Sequence, residues 1–485
     1  MTRSARQLCL LLGMWFSVVA LTMAVSVFLP ERPAKDSPAL LYPIDSVATS
    51  SRVSEQKSER ALIANLESMQ LSLYENAELI KTFPILSKGK EGTPWETPLG
   101  KYAIQLKEER HFSSIGGVWM PYSMQFYGNF FIHGWPTYPD GRNVPIGFSG
   151  GCIRLRTADA KEVYEFAPPG TRLLVEGGGA QERFSLTSRY YLRGGGSPPT
   201  LSAPSFLAAD LLLNTVLWER KADMPVHPDD LVALVSGLTA LETVDQYKVV
   251  RMSELLMGRP MLRKTSIGAA DELPVGTLIY PLIFGGNDTA AKVFAREHGT
   301  KQFVKYMNEK ADAIGMEQSE FSGALAIDDA TTTARDLFLL LQYIDRSKHF
   351  LIDVSQAPER ILYDKYGDER YRWENKNPWV RGEDARYKGG MISISGERSG
   401  SAMVLFDLPV SEFGGRTVAL IVLHSDDVKK DVENLRDFVS AHFVYGVTRE
   451  TPLGEEAPPS SLFDRADPFD VKKLLEDKLE YEKEI

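Results

Sequence analysis

Residues 132–155 read IHGWPTYPDGRNVPIGFSGGCIRL and place one histidine and one cysteine around a glycine-rich loop. Cys152 is one of two cysteines in 485 residues, and the other, Cys9, lies in an apolar run near the N-terminus. A single cysteine with a histidine elsewhere in the same domain is a candidate nucleophile and base. The thiolate is the reactive form of cysteine, and a nearby imidazole can remove the thiol proton. The pattern therefore offers Cys152 as a nucleophile and His133 as its base.

The glycines before Cys152 fit acyl chemistry. Small residues at Gly150 and Gly151 let a substrate carbonyl approach the sulfur, and backbone N–H groups there can hold the developing oxyanion. The alternative is structural, because free cysteine is usually a small buried hydrophobic residue. In that case His133 is a core histidine with its hydrogen bonds satisfied, and composition by itself favours this alternative.

Several motifs in order resemble the L,D-transpeptidase family. The dipeptide HG lies at 133–134, and fifteen residues separate His133 from SGGCIR at 149–154. This arrangement is similar to the family's histidine and its [Ser/Thr]-His-Gly-Cys motif. Further matches are TPLGKY at 97–102, MPY at 120–122, FYG at 126–128, residues 159–164 and PGT at 169–171. The resemblance covers about residues 60–176 and implies a β-rich sandwich in which Cys152 attacks and His133 is the base.

The resemblance also implies roles for the neighbours of these two groups. Backbone donors around Gly151 would hold the oxyanion, and the Gly134 carbonyl would orient the histidine. Ser149 belongs to the motif that positions the cysteine. Arg154 would fix the loop or face a substrate carboxylate.

One position departs from the family. Where the family usually has histidine before Gly-Cys, this chain has Gly150. That histidine is thought to assist positioning or proton handling. Its loss predicts a slower enzyme, an altered donor pocket or an inactive domain, and the retained nucleophile and base favour an active one.

A second unit, residues 204–445, resembles penicillin-binding D-alanyl-D-alanine carboxypeptidases. The likeness lies in VLWERKAD at 216–223, NEK at 308–310, GM at 315–316 and TARDL at 333–337. Strands are predicted at 206–217 and 416–423, and helices at 231–243, 282–298, 301–314, 332–344 and 427–443. The resemblance implies an α+β serine-peptidase fold of the β-lactamase-like class.

The catalytic residues of that second family are largely absent. Its Ser-x-x-Lys turn puts a nucleophile and an amine base one helical turn apart, but here those positions are Ala233 and Ser236. The Ser-x-Asn element becomes GGN ending at Asn287, and Lys-Thr-Gly becomes KGG starting at Lys388. The unit is therefore predicted to be catalytically dead. Two roles stay open, a cleft that still binds a D-Ala-terminated stem peptide and a structural spacer.

The N-terminal region predicts a membrane anchor. Residues 8–29 carry no charge over 22 positions and follow Arg3 and Arg6. A helix of that length spans a hydrocarbon core of about 30 Å, and the preceding basic residues keep that end in the cytoplasm. We expect an uncleaved transmembrane helix in residues 1–30, with a cleavable signal peptide as the alternative. The catalytic domains would then lie on the periplasmic side of the cell membrane.

Other classes of function find no support in the sequence. The formal charge of −10 and the lack of a basic cluster argue against a nucleic-acid partner. The remaining histidines lack metal-ligand spacing, and no motif predicts a cofactor. The other predicted segments are a flexible stalk at 31–58, a transpeptidase domain at 59–176, a linker at 177–203 and an acidic tail at 446–485.

Together these features predict a multidomain protein with an N-terminal transmembrane helix, a β-rich sandwich and an α+β serine-peptidase domain. The implied activity is transfer of a peptidoglycan tetrapeptide stem to an amine through a Cys152 thioester, with release of D-Ala. The alternatives are an inactive peptidoglycan-binding scaffold and a serine D,D-carboxypeptidase.

Overall fold

The computed structural model describes residues 59–177, 189–193, 198–251, 272–363, 366–382, 384–395, 397–411 and 414–446. The predicted anchor, the predicted stalk and residues 447–485 of the predicted tail lie outside these ranges. Within them, no helix is both long enough and apolar enough to cross a membrane.

Two β-sheets build the first domain, residues 59–177. Its elements are β1 (Arg60–Asn65), β2 (Gln70–Glu75), β3 (Glu78–Pro84), β4 (Gly100–Ala103), β5 (Lys107–Ser113), β6 (Val118–Tyr127), β7 (Phe130–His133), β8 (Ile153–Arg154), α1 (Thr157–Phe166) and β9 (Arg172–Glu176). One sheet has the order β3-β2-β1-β9-β4 and the other β5-β6-β7-β8. Buried side chains of both sheets form one core, with Leu62 and Leu173 from the first and Phe126 and Ile132 from the second. The predicted β-rich sandwich is confirmed.

A mixed sheet with helices on both faces builds the second domain. Its strands and helices are β10 (Arg189–Leu192), β11 (Ser205–Asp210), β12 (Thr215–Arg220), α2 (Val232–Thr243), β13 (Val249–Arg251), β14 (Glu272–Pro274), α3 (Ile279–Gly285), α4 (Asp288–His298), α5 (Thr300–Ala313), β15 (Glu320–Phe321), β16 (Ala330–Thr331), α6 (Ala334–Ser347), α7 (His349–Gln356), β17 (Glu359–Tyr363), β18 (Glu369–Glu374), β19 (Tyr387–Ser395), β20 (Ser399–Ser411), β21 (Gly414–Ser425), α8 (Val428–His442) and β22 (Phe443–Gly446). The main sheet runs β10-β22-β20-β21-β11-β12, and β19 also pairs with β20. Helix α8 packs on one face, and α2 to α7 contribute to the core on the other.

Two predicted elements of the second domain differ from the structure. The strand predicted at 206–217 is a hairpin of β11 and β12, whose turn ends at Asn214 in the left-handed region (φ +55°). The helix predicted at 282–298 is two helices, because Gly286 takes φ +64° and Asn287 starts α4 as its N-cap. Apolar residues lie on both sides of each break, so hydrophobic periodicity by itself did not separate the elements.

Buried charges lie where the two domains meet. The Lys310 ammonium on α5 is 2.8 Å from the Glu242 carboxylate on α2, and both side chains are almost fully buried. Lys310 also donates to the Tyr102 hydroxyl of β4 at 2.6 Å, and Tyr343 donates to Glu242 at 2.6 Å. Burial lowers the pKa of Lys310 to about 8, while Glu242 opposes that shift. The junction is therefore a polar core shared by both domains.

Candidate active site

The pairing of β7 with β8 brings the predicted nucleophile and base together. The two strands are parallel, with Ile132 opposite Ile153 and His133 opposite Arg154. Side chains alternate along a strand, so His133 and Arg154 lie on the face opposite to the buried isoleucines. Cys152 immediately precedes β8 and lies two positions before Arg154, so it falls on the same face as His133. Strand spacing and rise put their Cα atoms roughly 8 Å apart, a span that the two side chains can bridge.

His133 is buried and held by its neighbour. Its Nδ1 is 2.6 Å from the carbonyl oxygen of Gly134. A carbonyl only accepts, so Nδ1 carries the proton and Nε2 is the free basic nitrogen. Burial lowers the pKa of His133 to about 4, and the charge of Arg154 acts in the same direction. The imidazole is therefore neutral at pH 7 and able to accept a proton.

The Cys152 thiol donates to the backbone carbonyl of Asn129, with an Sγ···O distance of 3.7 Å. Burial raises the pKa of the thiol, while a backbone hydrogen bond of Phe131 and the charge of Arg154 lower it. The resting site therefore holds a neutral thiol beside a neutral imidazole. Catalytic hydrogen bonds are often long or poorly aligned until substrate binds.

The loop before Cys152 is closed by its own hydrogen bonds. The Ser149 hydroxyl donates to the Cys152 carbonyl at 2.6 Å, and the Gly151 N–H donates to the Ser149 hydroxyl oxygen at 3.1 Å. The predicted oxyanion donor at Gly151 is thus already engaged in this state. Gly151 has φ +101°, and a Cβ there would lie 2.2 Å from the Phe130 ring. Close packing against that ring explains this glycine better than room for a substrate.

The position of the missing family histidine is open. A Cβ at Gly150 would meet nothing within 4 Å. On the same face of the sheet, His111 of β5 stacks on the Phe131 ring with centroids 4.8 Å apart. The His111 Nδ1 is 3.1 Å from Glu108. A second imidazole therefore lies one aromatic ring from Cys152, although the sequence pattern did not single it out.

The positive charge of Arg154 acts on both Cys152 and His133. Its guanidinium is 5.8 Å from the Trp135 ring centroid. Its Nε is buried without a hydrogen-bond partner in the described part of the chain. The charge of Arg154 lowers the pKa values of both Cys152 and His133. It therefore favours the thiolate and the neutral base.

Asn129 and Phe131 were missed by the sequence interpretation. Phe131 precedes His133 by two positions, so strand alternation would have placed it on the same face. Asn129 lies in the turn between β6 and β7, where no residue pattern indicates which carbonyl meets the sulfur. In the loop that precedes Cys152, the side chains of Ile146 and Phe148 are 92% and 64% exposed.

The predicted cleft residues of the second domain do not assemble into a catalytic group. Ala233 is buried in α2, and the Ser236 hydroxyl donates to the Ala324 carbonyl at 3.0 Å. Asn287 accepts from the Ala290 N–H as an N-cap, and Lys388 is exposed on β19. Each polar group that survives therefore has a local role or faces solvent.

Other side chains occupy the space near that cleft. A Cβ at Gly285 would lie 2.6 Å from the Lys376 side chain, whose ammonium donates to the Gly285 carbonyl at 3.1 Å. A Cβ at Gly286 would lie 2.9 Å from Asp230, and the Ser393 hydroxyl bonds to that carboxylate at 3.1 Å. The contact of Asp230 with Ser393 bridges the helical side to β19.

Comparison with known protein families agrees with the division of the chain into these two domains. Residues 59–175 match the family model described as the L,D-transpeptidase catalytic domain, YkuD, and residues 194–393 match the model of D-alanyl-D-alanine carboxypeptidase. The chain carries an L,D-transpeptidase domain followed by a D-alanyl-D-alanine carboxypeptidase domain. Its second fold is that of a penicillin-binding serine peptidase.

Curated relatives match one domain at a time. A putative L,D-transpeptidase YkuD of Bacillus licheniformis is 32% identical over 114 residues, which are 24% of this chain and 64% of the relative. A D-alanyl-D-alanine endopeptidase of Pseudomonas aeruginosa is 24% identical over 183 residues, which are 36% of this chain and 58% of the relative. The chain thus spans about three fifths of the length of the relatives it matches.

Solved structures align with about half of this chain at low identity. A D-alanyl-D-alanine carboxypeptidase from Mycobacterium tuberculosis is 17% identical, with 56% of this chain and 99% of that chain covered and a TM-score of 0.46. A mutant of the Streptomyces K15 DD-transpeptidase is 18% identical, with 50% and 100% covered and a TM-score of 0.44.

Proposed function

We propose that this protein is a peptidoglycan L,D-transpeptidase that works through a thioester on Cys152. The observation that carries the proposal is the register of β7 and β8, which puts Cys152 and His133 on one face of the sheet. The hydrogen bond from His133 to the Gly134 carbonyl leaves Nε2 as the base on that face. The match of residues 59–175 to the transpeptidase catalytic domain supports the substrate class.

The reaction follows from the two side chains. His133 Nε2 takes the thiol proton, and the Cys152 thiolate attacks the carbonyl carbon between the diamino acid and the terminal D-Ala of a tetrapeptide stem. The C–N bond breaks, the imidazolium returns its proton to the leaving D-Ala amine, and a thioester remains. An amine of a second stem then attacks the thioester carbonyl, gives a proton to His133, and releases the thiolate. Arg154 stabilises the thiolate at both stages.

The second domain is proposed to be catalytically dead. Alanine at position 233 has no group to be acylated, and the Ser236 hydroxyl is buried and bonded to a backbone carbonyl. Asp230, which is bonded to Ser393, lies against Gly286, the residue before Asn287. These contacts favour a structural role over presentation of a stem peptide.

The location is also proposed. The stem peptides lie outside the cytoplasmic membrane, and residues 1–30 would anchor the chain with its two domains on that side. Fractionation of cells tests this: the protein should remain in the membrane pellet and be digested by protease added to spheroplasts. Recovery in the cytosolic fraction would contradict it.

One experiment separates the three candidate functions. The full chain, purified in detergent, is incubated with a tetrapeptide stem or a carbapenem and examined by intact mass. We expect an adduct that is absent in Cys152→Ala and retained in Ser236→Ala. An adduct on a serine of the second domain, as the carboxypeptidase match would favour, supports a D,D-peptidase. Absence of any adduct in the wild type supports a binding scaffold.

A further inference from the structure

The β6–β7 turn, which contacts the Cys152 thiol, is itself fixed by a contact with the second domain. Asn129 accepts the Cys152 thiol hydrogen at its backbone carbonyl. The Asn129 side-chain Nδ2 donates to the carbonyl of Thr243 at 2.7 Å. Thr243 is the last residue of α2, and the final carbonyls of a helix have no partner within it. Asn129 therefore caps a helix of the second domain while its own carbonyl contacts the sulfur.

The fit at this contact is tight. Gly128 has φ +48°, and a Cβ there would lie 2.8 Å from Cγ2 of Thr243. His298 Nε2 lies 2.8 Å from the Thr243 carbonyl oxygen, so two groups fix that oxygen. The β6–β7 turn consequently has little freedom to move relative to the end of α2.

A second segment behind the nucleophile is held in the same way. The Trp95 carbonyl oxygen is 3.2 Å from the Cβ position of Gly151. The Trp95 ring stacks on Tyr247 with centroids 5.8 Å apart, and the buried Lys348 ammonium donates to the Glu96 carbonyl at 2.6 Å. Tyr247 and Lys348 belong to the second domain. Both segments that touch the reactive loop from behind are thus anchored across the junction.

We propose that the carboxypeptidase-like domain is a positioning element for Cys152, and that the end of α2 determines through Asn129 where the sulfur lies. Asn129 and Thr243 are positioning residues in this proposal, since neither reaches the reacting atoms with its side chain. A carbonyl that accepts the thiol hydrogen favours the thiol over the thiolate. Withdrawing it makes Cys152 more acidic and leaves the sulfur less well placed. The proposal depends on the proposed function only for its acylation readout.

The test combines a substitution in the first domain that creates a steric clash with a substitution in the second domain that removes the clash. In the full chain carrying Cys9→Ser, Gly128→Ala adds a methyl group that collides with Cγ2 of Thr243. We expect the pH midpoint of Cys152 alkylation by iodoacetamide to fall, and acylation by a tetrapeptide stem to slow on the order of tenfold to a hundredfold. Thr243→Ser removes only that methyl and keeps the hydroxyl bond to the Thr239 carbonyl. The double variant should therefore recover both readouts towards the wild type.

Two further variants make the outcome decisive. Asn129→Ala removes the contact without a steric clash and should shift the alkylation midpoint in the same direction. Asn287→Ala, which loses a helix cap in the same domain, should leave that midpoint unchanged. Thermal unfolding confirms that each variant is folded at the assay temperature. An unshifted midpoint in both Gly128→Ala and Asn129→Ala overturns the proposal. A shifted midpoint in a protein whose wild type is never acylated overturns the proposed function alone.

Discussion

The two glycines before Cys152 have opposite surroundings. Gly151 is enclosed by the Phe130 ring and has a positive φ, whereas Gly150 faces open space. The sequence interpretation treated both as room for a substrate carbonyl. It could not separate them, because Phe130 lies on a different strand, and only the parallel pairing of β7 and β8 brings its ring to Gly151.

A pair of matched substitutions tests this difference. Gly151→Ala should lower the free energy of unfolding by about 2–3 kcal/mol, because a methyl group meets the Phe130 ring and the backbone favours glycine. It should also slow the alkylation of Cys152. Gly150→Ala should change stability by less than about 0.5 kcal/mol, since nothing contacts the added carbon. Chemical denaturation measures both, and equal losses would contradict the packing argument.

The buried histidine makes stability depend on pH. His133 has a pKa of about 4 in the folded protein and an ordinary value of 6.5. A depressed pKa contributes stability that is present above pH 6.5 and is lost as pH falls through about 4. The loss corresponds to about 3 kcal/mol at 1.36 kcal/mol for each pH unit. Unfolding free energies of the wild type and His133→Gln, measured from pH 7 to pH 4, should converge by that amount.

The same protonation removes the base. Acylation of Cys152 should therefore fall as pH drops through about 4, while alkylation by a small reagent continues to follow the thiolate alone. If acylation instead fell around pH 6.5, the histidine would be solvated in solution and the burial argument would be wrong.

At the level of elements, the sequence predicted those whose pattern is local. Helices α2, α5 and α8 match their predicted segments closely, because apolar residues recur three and four positions apart. The break at Gly286 was missed, although a glycine followed by an asparagine is a common end of one helix and start of the next.

The start of α4 gives a prediction about the former cleft. Asn287 accepts from the Ala290 N–H at 3.0 Å. Asn287→Ala should destabilise the protein by about 1 kcal/mol, the usual cost of losing an N-cap. Denaturation should show this loss while the carbapenem adduct on Cys152 forms at the wild-type rate. Loss of the adduct would mean that Asn287 has kept a part in substrate handling.

For the whole molecule, the largest unpredicted feature is the junction. The alignment of Ala233 and Ser236 with the catalytic turn of the carboxypeptidases predicted that the second domain lacks serine-peptidase activity. Its contacts with the first domain could not be predicted, because Glu242 and Lys310 look like ordinary helix-surface charges in the sequence. Their burial depends on Tyr102, which lies more than a hundred residues earlier in the chain.

Removing the carboxylate of this junction should be costly. Glu242→Gln leaves the buried Lys310 ammonium without its counter-charge and removes one of the carboxylates that act on Lys348. Breaking a buried ion pair on one side typically costs 3–5 kcal/mol, so we expect a loss of about that size. Urea denaturation of the intact chain measures it.

A surface pair is the matched control. Glu297 lies 2.6 Å from Lys248, whose side chain is about half exposed. Glu297→Gln should cost no more than about 1 kcal/mol, because solvent screens the pair. If the two glutamine variants lost equal stability, the charges at the junction would not be buried in a polar core shared by both domains.

The contact of Asn129 with Thr243 also has a consequence for inhibition. A small molecule that separates this asparagine from the helix end would move the carbonyl that meets the sulfur. Such a compound would silence the reaction while leaving the donor pocket empty, and it would need no electrophilic warhead.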